Sequence, residues 1–419
     1  LLLGVWVETA DGRVVMMGRD RVEEVSSDAS ADVGVRVATA KTAMQRLERW
    51  MPAAVRNVID TLAKHGARAV LVGGGVRDAF LGRAAPDWDV ATDATPENVA
   101  SFFRRVARTG EQHGTIMVLT GDVPVEVTTF RGEGAYTDGR RPDQVSFIDD
   151  LTEDLRRRDF TINAMAYDPI DDRLADPFGG RADLAARVIR AVGDATARFS
   201  EDGLRTMRAL RFAAQLGFAL EPATEAAIPQ ALPTFRRVSG ERVRDELLKL
   251  LGAPHAAQGL VLLQRTGLLA EILPELRGLL DDRAAAEDAA RGDVALVQRL
   301  GHAVSLLPRD PVLRLGALLA PLAPHLWSEV APRVVAVEVG WDALLQRLKL
   351  SAKEQARLRL LLTSAPPAYA ALWTDAQVRR YLAATPPGLR EDQALLRAAL
   401  AEAHGQGAAF TAGAGALVA

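Results

Sequence analysis

The segment Ala69-Val70-Leu71-Val72-Gly73-Gly74-Gly75-Val76-Arg77-Asp78 constrains the chain most, because four apolar residues fit a buried strand and three glycines then open the next element. A strand that ends in glycines and opens a helix presents free backbone N–H groups, which glycine lets a phosphate approach and the helix dipole favours. No Gly-Lys-Ser/Thr follows, so the turn is not a Walker A loop. Taken alone, a tight structural turn is an equal reading.

Asp87 and Asp89 shift that balance. In Pro86-Asp87-Trp88-Asp89-Val90 a strand would point both carboxylates to one face and Trp88 and Val90 into the core. Two such carboxylates repel unless cations lie between them, and oxygen-only ligands favour Mg²⁺ or Mn²⁺. In Val123-Pro124-Val125-Glu126-Val127-Thr128 the same period buries Val125 and Val127 and turns Glu126 the other way. On a strand next to Asp87 and Asp89, Glu126 would complete a three-carboxylate site of the kind that supports in-line nucleotidyl transfer. A solvated Asp-x-Asp loop and the polar side of a strand are the plainer readings of these residues.

Composition narrows the function classes. With 51 Lys+Arg against 54 Asp+Glu the net charge is −3, so nucleic acid would have to be held by a local basic face. Zero cysteines exclude disulfides, thiolate metal sites and cysteine nucleophiles, and six histidines speak against a multi-histidine metal centre. No apolar run approaches the roughly 18 residues that cross a bilayer. Leu1-Leu2-Leu3-Gly4 has no basic segment and no initiator Met, so we expect a cytoplasmic protein whose first residues are a processed or truncated start.

Along the chain, Val5-Trp6-Val7-Glu8 and Arg13-Val14-Val15-Met16-Met17 around Asp11-Gly12 predict a hairpin. A helical stretch is expected at Thr42 to Lys64, strands at Asp87 to Val90, Thr115 to Leu119 and Val123 to Phe130, and a helix from Pro96 to Ala107 capped by Thr95. From about residue 184 the periodicity is helical without convincing strands, broken near Gly217, Pro233, Pro254, Pro274 and Pro308, and Gly405 to Ala419 is a loose Gly/Ala-rich tail. The fold class is therefore α+β: an N-terminal extension at 1–45, a small mixed α/β head at 46–183, a helical neck at 184–252, a helical body at 253–404 and a tail at 405–419.

The glycine-Arg-Asp segment, the Asp87/Asp89 pair and Glu126 resemble the nucleotidyltransferase head of the DNA polymerase β superfamily, and more closely the class II tRNA nucleotidyltransferases (CCA-adding enzymes) with their bacterial poly(A) polymerase relatives. Three further segments carry the resemblance: Arg157-Arg158-Asp159-Phe160-Thr161-Ile162-Asn163-Ala164, Asp176-Pro177-Phe178-Gly179-Gly180, and Glu201-Asp202-Gly203-Leu204-Arg205-Thr206-Met207-Arg208. Ser239-Gly240-Glu241-Arg242 is similar to the motif that buttresses the Glu-Asp-x-x-Arg helix. The likeness runs over about residues 70 to 250.

The resemblance implies roles. Asp87, Asp89 and Glu126 are catalytic, and Asp87 and Asp89 hold two Mg²⁺ ions, with Mn²⁺ as a substitute. Gly73, Gly74, Arg77, Arg158, Asp159, Asn163, Glu201, Asp202, Arg205 and Arg208 bind the nucleotide. Asp159 and Asn163 would read the 2′-OH, helix capping being the alternative. Asp202 would accept from the exocyclic amine of cytosine or adenine and Arg205 would donate to the adjacent ring nitrogen, which uracil and guanine mismatch. Glu201 would orient Arg205. The plainer reading is an i, i+3 ion pair of Asp202 and Arg205 on one helix.

The expected function is template-independent addition of CCA from CTP and ATP to the tRNA acceptor end, with Arg208, Arg211, Arg236, Arg237, Arg242 and Arg244 as a basic RNA track. No membrane and no protein partner is predicted. Alternatives are an A-adding specialist, a poly(A) polymerase and, in another class, a catalytically silent RNA-binding protein. Ala135 to Phe147 resembles the family's flexible loop, expected for the adenosine step. Ala320-Pro321 stands where an HD phosphohydrolase-like region would carry its His-Asp pair, leaving His302 and His325 as lone histidines.

Overall fold

The computed structural model describes residues 37–84, 87–120, 123–132, 146–279, 295–323, 340–363 and 385–405, with Arg379, Ala383 and three N-terminal strands. These strands, β1 (Val5–Glu8), β2 (Val14–Gly18) and β3 (Arg21–Glu23), form an antiparallel meander that contains the expected hairpin and adds one strand to it. The Asp11-Gly12 turn, residues 135–145 of the flexible-loop segment, His325 and the tail beyond Gly405 lie outside the described residues.

The expected helical stretch from Thr42 to Lys64 is two helices, α1 (Ala40–Trp50) and α2 (Ala53–Lys64). Pro52 divides them, since it has no N–H to continue the ladder and pushes Met51 out of helical geometry. The head is a seven-stranded sheet. Its strands are β4 (Ala69–Val72), β5 (Asp89–Thr92), β6 (Val106–Gly110), β7 (Thr115–Thr120), β8 (Val123–Thr129), β9 (Ala166–Asp168) and β10 (Arg173–Ala175), in the order β10-β9-β4-β5-β8-β7-β6. Among the described residues of this sheet, β5 and β8 pair in parallel and the other neighbours antiparallel.

Both faces of β4 are covered, which is why it reads as an unbroken apolar run. Leu71, with Val90, Val125 and Val127, packs under α1 and α2, whereas Val70, Val72 and Ala91 pack with Leu151 and Leu155 of α5 (Leu151–Arg156) on the other side. Helices α3 (Gly74–Phe80) and α4 (Pro96–Phe102) connect the strands. Thr95 caps α4 through the Asn98 N–H, as expected. The helix expected to reach Ala107 stops at Phe102 because Phe103 turns extended and Val106 pairs with Val118 on the sheet edge.

After α6 (Gly180–Ala186) a two-residue strand, β11 (Val188–Ile189), pairs in parallel with β12 (Ala219–Leu220), a small sheet that the helical periodicity hid. Between them run α7 (Ala195–Glu201) and α8 (Leu204–Leu216), which ends at Gly217 in the left-handed region. The neck continues through α9 (Pro222–Gln230), α10 (Leu232–Phe235) and α11 (Gly240–Leu251) into body helices including Ala256–Arg265, Leu296–Leu306, Pro311–Leu319 and Pro387–Ala403. Ala320 and Pro321 are buried in a single 3₁₀ turn after Pro311–Leu319, and His302 is exposed. One contiguous apolar cluster runs from Ala43 in α1 to Ala401 in the last helix. Our border at 252/253 falls at the end of α11, while those at 45/46 and 183/184 lie inside α1 and α6, so the proposed units share helices rather than linkers.

Candidate active site

The register of three strands assembles the carboxylates. Val72 of β4 pairs with Asp89 of β5, and Asp89 pairs with Glu126 of β8, so Asp89 and Glu126 are direct neighbours on the face away from Val90, Val125 and Val127. Asp87 lies two residues ahead of Asp89 but just outside the strand, which starts at Asp89, and it is exposed. The strand expected over Asp87 to Val90 is thus shifted along the chain.

Among the described residues none of the three carboxylates accepts a hydrogen bond or forms an ion pair, and their charges act on one another. Burial raises the Asp89 carboxyl above its ordinary value and Asp87 adds to this, while Arg158 opposes it. Burial likewise raises Glu126, with Asp89 and Asp87 adding and Arg131 opposing. Among the described residues no three His, Cys, Asp or Glu side chains close into a ready metal cage.

Gly73 ends β4 at φ +72° and opens α3, a conformation glycine adopts without strain. A Cβ there would lie 3.3 Å from Arg158 Nη1 and 3.3 Å from Asp89 Oδ2. The glycine therefore lets a guanidinium and a carboxylate close over the turn. Gly74 follows as the first helical residue, and Arg77 Nη2 would lie 3.6 Å from a Cβ placed on it. Arg77 donates to Asn163 Oδ1 at 2.8 Å and to Asp78 at 2.9 Å.

Asp159 and Asn163 are buried and held by the protein itself. Asp159 Oδ1 accepts from the Phe160 N–H at 2.8 Å and from Asn163 Nδ2 at 3.1 Å, and Oδ2 accepts from Arg208 Nε at 2.7 Å. Burial alone would raise this carboxyl, but Arg208 and Asn163 hold it down at about 2. The 3₁₀ turn at Thr161–Asn163 has no side-chain cap, so the capping alternative does not hold, and Asp159 instead joins the head to α8 through Arg208.

At the α7–α8 junction the structure rearranges the expected pairs. Asp202 is the residue after α7 and α8 begins at Leu204, so Asp202 and Arg205 do not share a helix and the i, i+3 ion pair is absent. Asp202 instead caps α8 through the Leu204 N–H at 3.0 Å and takes both ends of Arg242, at 3.3 and 2.7 Å. Arg205 is fixed by Glu201, by the Arg198 carbonyl at 2.9 Å and by the Arg157 carbonyl at 3.0 Å. Glu201 thus does grip Arg205, together with Arg198.

The expected arginine track divides. Arg211 is buried on Glu246 and Gln215, with its guanidinium 3.9 Å from the Phe212 ring centre, and Arg208 is spent on Asp159. Arg242 belongs to Asp202. Arg236, paired with Glu271, and Arg237 are exposed, and Arg244 donates to Asp245 and to the Lys349 carbonyl. Sequence reasoning missed Asp154, Arg198 and Glu246. Asp154 carried a signal, its spacing of three and four residues from Arg157 and Arg158, and so did Arg198, three residues before Glu201.

Fold and site together define a poly(A) polymerase-type head carried on a helical neck and body. Residues 69–190 match the family profile described as "Poly A polymerase head domain", and residues 217–279 the one described as "Probable RNA and SrmB- binding site of polymerase A". The CCA-adding enzyme of Geobacillus stearothermophilus is 50% identical over 221 residues, 53% of this chain and 54% of that one. That of Geobacillus thermodenitrificans is 44% identical over 292 residues, 65% of this chain and 71% of the relative. The solved Bacillus stearothermophilus CCA-adding enzyme in complex with CTP superposes with a TM-score of 0.62 at 33% identity, covering 86% of this chain and 83% of that one. The chain belongs to the CCA-adding enzyme family. The matched stretch spans about half the length of the first of these curated relatives.

Proposed function

We propose that this protein adds CMP, CMP and AMP to the 3′ end of tRNA, using CTP and ATP and no nucleic-acid template. The observation that carries the reading is the in-register Asp89–Glu126 pair beside Gly73 and Arg158, with the Arg205 guanidinium fixed a short distance along the same chain of contacts. The similarity to an enzyme solved with CTP supports it.

The donor set fits hard divalent cations: three carboxylates that accept no hydrogen bond among the described residues, two of them raised by burial and by their neighbouring carboxylates. Asp87 and Asp89, with Glu126 beside them, would hold Mg²⁺, or Mn²⁺ in its place. Bound there, the ions would supply charge neutralisation on the phosphates and a more acidic 3′-OH. Gly73 and Gly74, at the start of α3, would offer backbone N–H groups to the triphosphate, and Arg158, against Gly73, would offer it a charge-assisted donor. Asp202, kept as an acceptor by Arg242, and Arg205, kept as a donor by Glu201, present the pattern that cytosine and adenine satisfy and uracil and guanine do not. For RNA, Arg236 and Arg237 offer the exposed part of a basic track and Arg244 a half-buried addition to it, while Arg208, Arg211 and Arg242 pair with Asp159, Glu246 and Asp202.

Two tRNA substrates test the reading, one lacking CCA and one ending in CC, each with CTP alone, ATP alone and both. Completion of CCA on the first and of a single A on the second is expected. Failure to use CTP, with one AMP added to the CC end, would make the protein an A-adding specialist. Long A tracts on unrelated RNA ends would make it a poly(A) polymerase, and no incorporation at all a binding protein.

A further inference from the structure

Asp154 on α5 is a carboxylate shielded from solvent, with four donors around it. Its Oδ1 accepts from the Arg131 backbone N–H at 3.1 Å and from Arg157 Nε and Nη2 at 2.9 and 2.5 Å. Its Oδ2 faces Arg158 Nη2 at 3.4 Å. Burial alone would raise the carboxyl, but Arg157 and Arg158 hold it below the ordinary range, so it stays ionised.

Each of these bonds leads into the site. Arg158 stands over Gly73 beside Asp89, and its buried Nε has no hydrogen-bond partner among the described residues, a donor left for a ligand. The Arg157 carbonyl holds Arg205. Arg131 follows β8, the strand of Glu126, where the chain is zipped to its return by Gly132 N–H to Ser146 O at 3.0 Å and Ile148 N–H to Phe130 O at 3.1 Å. No other side chain among the described residues joins the carboxylate strand, the arginine over the glycine turn and the arginine at the neck helix.

We infer that Asp154 is a positioning residue for the incoming nucleotide: it aims Arg158 at the triphosphate and, through Arg157, sets the carbonyl that fixes Arg205 against the base. The inference rests on the nucleotidyl-transfer reading above. A carboxylate that merely knitted α5 to β8 would affect stability alone. One that aims two arginines changes ground-state nucleotide binding and nucleotide choice.

The test compares the full chain with its D154N variant, which keeps the shape and one acceptor but removes the charge. Calorimetric Kd values for CTP, ATP and UTP, steady-state incorporation on the tRNA substrates and the thermal midpoint are measured. Expected in D154N are Kd and KM for CTP and ATP raised about tenfold, the loss typical of one charged hydrogen bond. The value of kcat should stay within about threefold and the CTP-over-UTP preference should fall. A lower thermal midpoint with unchanged Kd, KM and preference would overturn the proposal. Should D154N not fold, Asp154→Glu carries the same comparison, since it keeps the charge and displaces it by one methylene. If the parent incorporates neither CMP nor AMP, the functional reading fails, and the binding measurements still decide the role of Asp154.

Discussion

The Arg205 guanidinium is held by a carboxylate and two backbone carbonyls, so its direction is set by α7 and by the segment after α5 rather than by its own helix. Asp202 is fixed independently, by Arg242 and the start of α8. Two partners anchored separately can present a rigid donor and acceptor to a base edge, because neither is consumed by the other. Asp202→Ala or Arg205→Ala should therefore lose nucleotide choice before transfer. We expect the CTP-over-UTP ratio of kcat/KM to fall about 10- to 100-fold, the value of one mismatched polar contact in a desolvated site. Competition between labelled CTP and UTP checks this, and an unchanged ratio in both variants would refute the base-reading assignment. The role proposed for Asp89, as a metal ligand, concerns a different step. Asp89→Ala should reduce incorporation by more than about 100-fold, since loss of even an outer partner of a metal ligand costs 10- to 100-fold. The far-ultraviolet circular dichroism spectrum should not change, because removing one of three repelling carboxylates relieves the unliganded site. Near-normal incorporation would remove Asp89 from the chemistry.

At the scale of elements, the turn between α7 and α8 decides where Asp202 and Arg205, the proposed base readers, stand. Gly203 fills it because a Cβ there would lie 2.6 Å from both the Phe235 N and Cα atoms, on the backbone of α10. Backbone cannot swing aside as a side chain can. Gly203→Ala should destabilise the protein by about 1–3 kcal/mol, the usual cost of overpacking. It should also displace Asp202 and Arg205 enough to raise the KM for nucleotide. Urea unfolding and incorporation kinetics measure the two effects, and a variant with parental stability would show that the contact is not tight in solution. The strand pair β5–β8 was legible in part: the alternation in Val125-Glu126-Val127 was correct, but only the pairing of Asp89 with Glu126 made that glutamate part of a site. The helix predicted to reach Ala107 failed for the converse reason, since a sheet edge captured Val106 against local helical preference.

Across the whole molecule, head and neck are joined by charges taken out of water. Asp159 of the head binds Arg208 of α8 and Arg77 of the head lies against the Phe212 ring, while within the neck Arg211 binds Glu246 of α11 and lies, with Arg208, against the same ring. Asp159 titrates at about 2 in the folded chain against 3.8 for an ordinary Asp. A carboxyl depressed by folding stabilises above its unfolded pKa and loses that contribution as pH falls through the folded one. The protein should therefore show a loss of stability between about pH 4 and pH 2, of which Asp159 accounts for roughly 2 kcal/mol. Urea midpoints of the parent and Asp159→Asn should converge as pH drops through that window and stay apart above pH 5. A gap that persists at pH 2 would mean that the charge on Asp159 does not hold the two parts together.

The sequence by itself determined what is written in local periodicity and in short motifs. The buried strand before three glycines, the α+β order and the capped start of α4 at Thr95 all follow from residues near one another in the chain, where steric and hydrogen-bonding preferences act directly. Tertiary structure decided the partners. Arg242, expected on an RNA face, closes on Asp202 forty residues away; Arg208 and Arg211 turn inward; and Asp154 gathers two arginines and the end of β8. An arginine side chain reaches carboxylates wherever the fold brings them, and linear spacing carries no record of that distance.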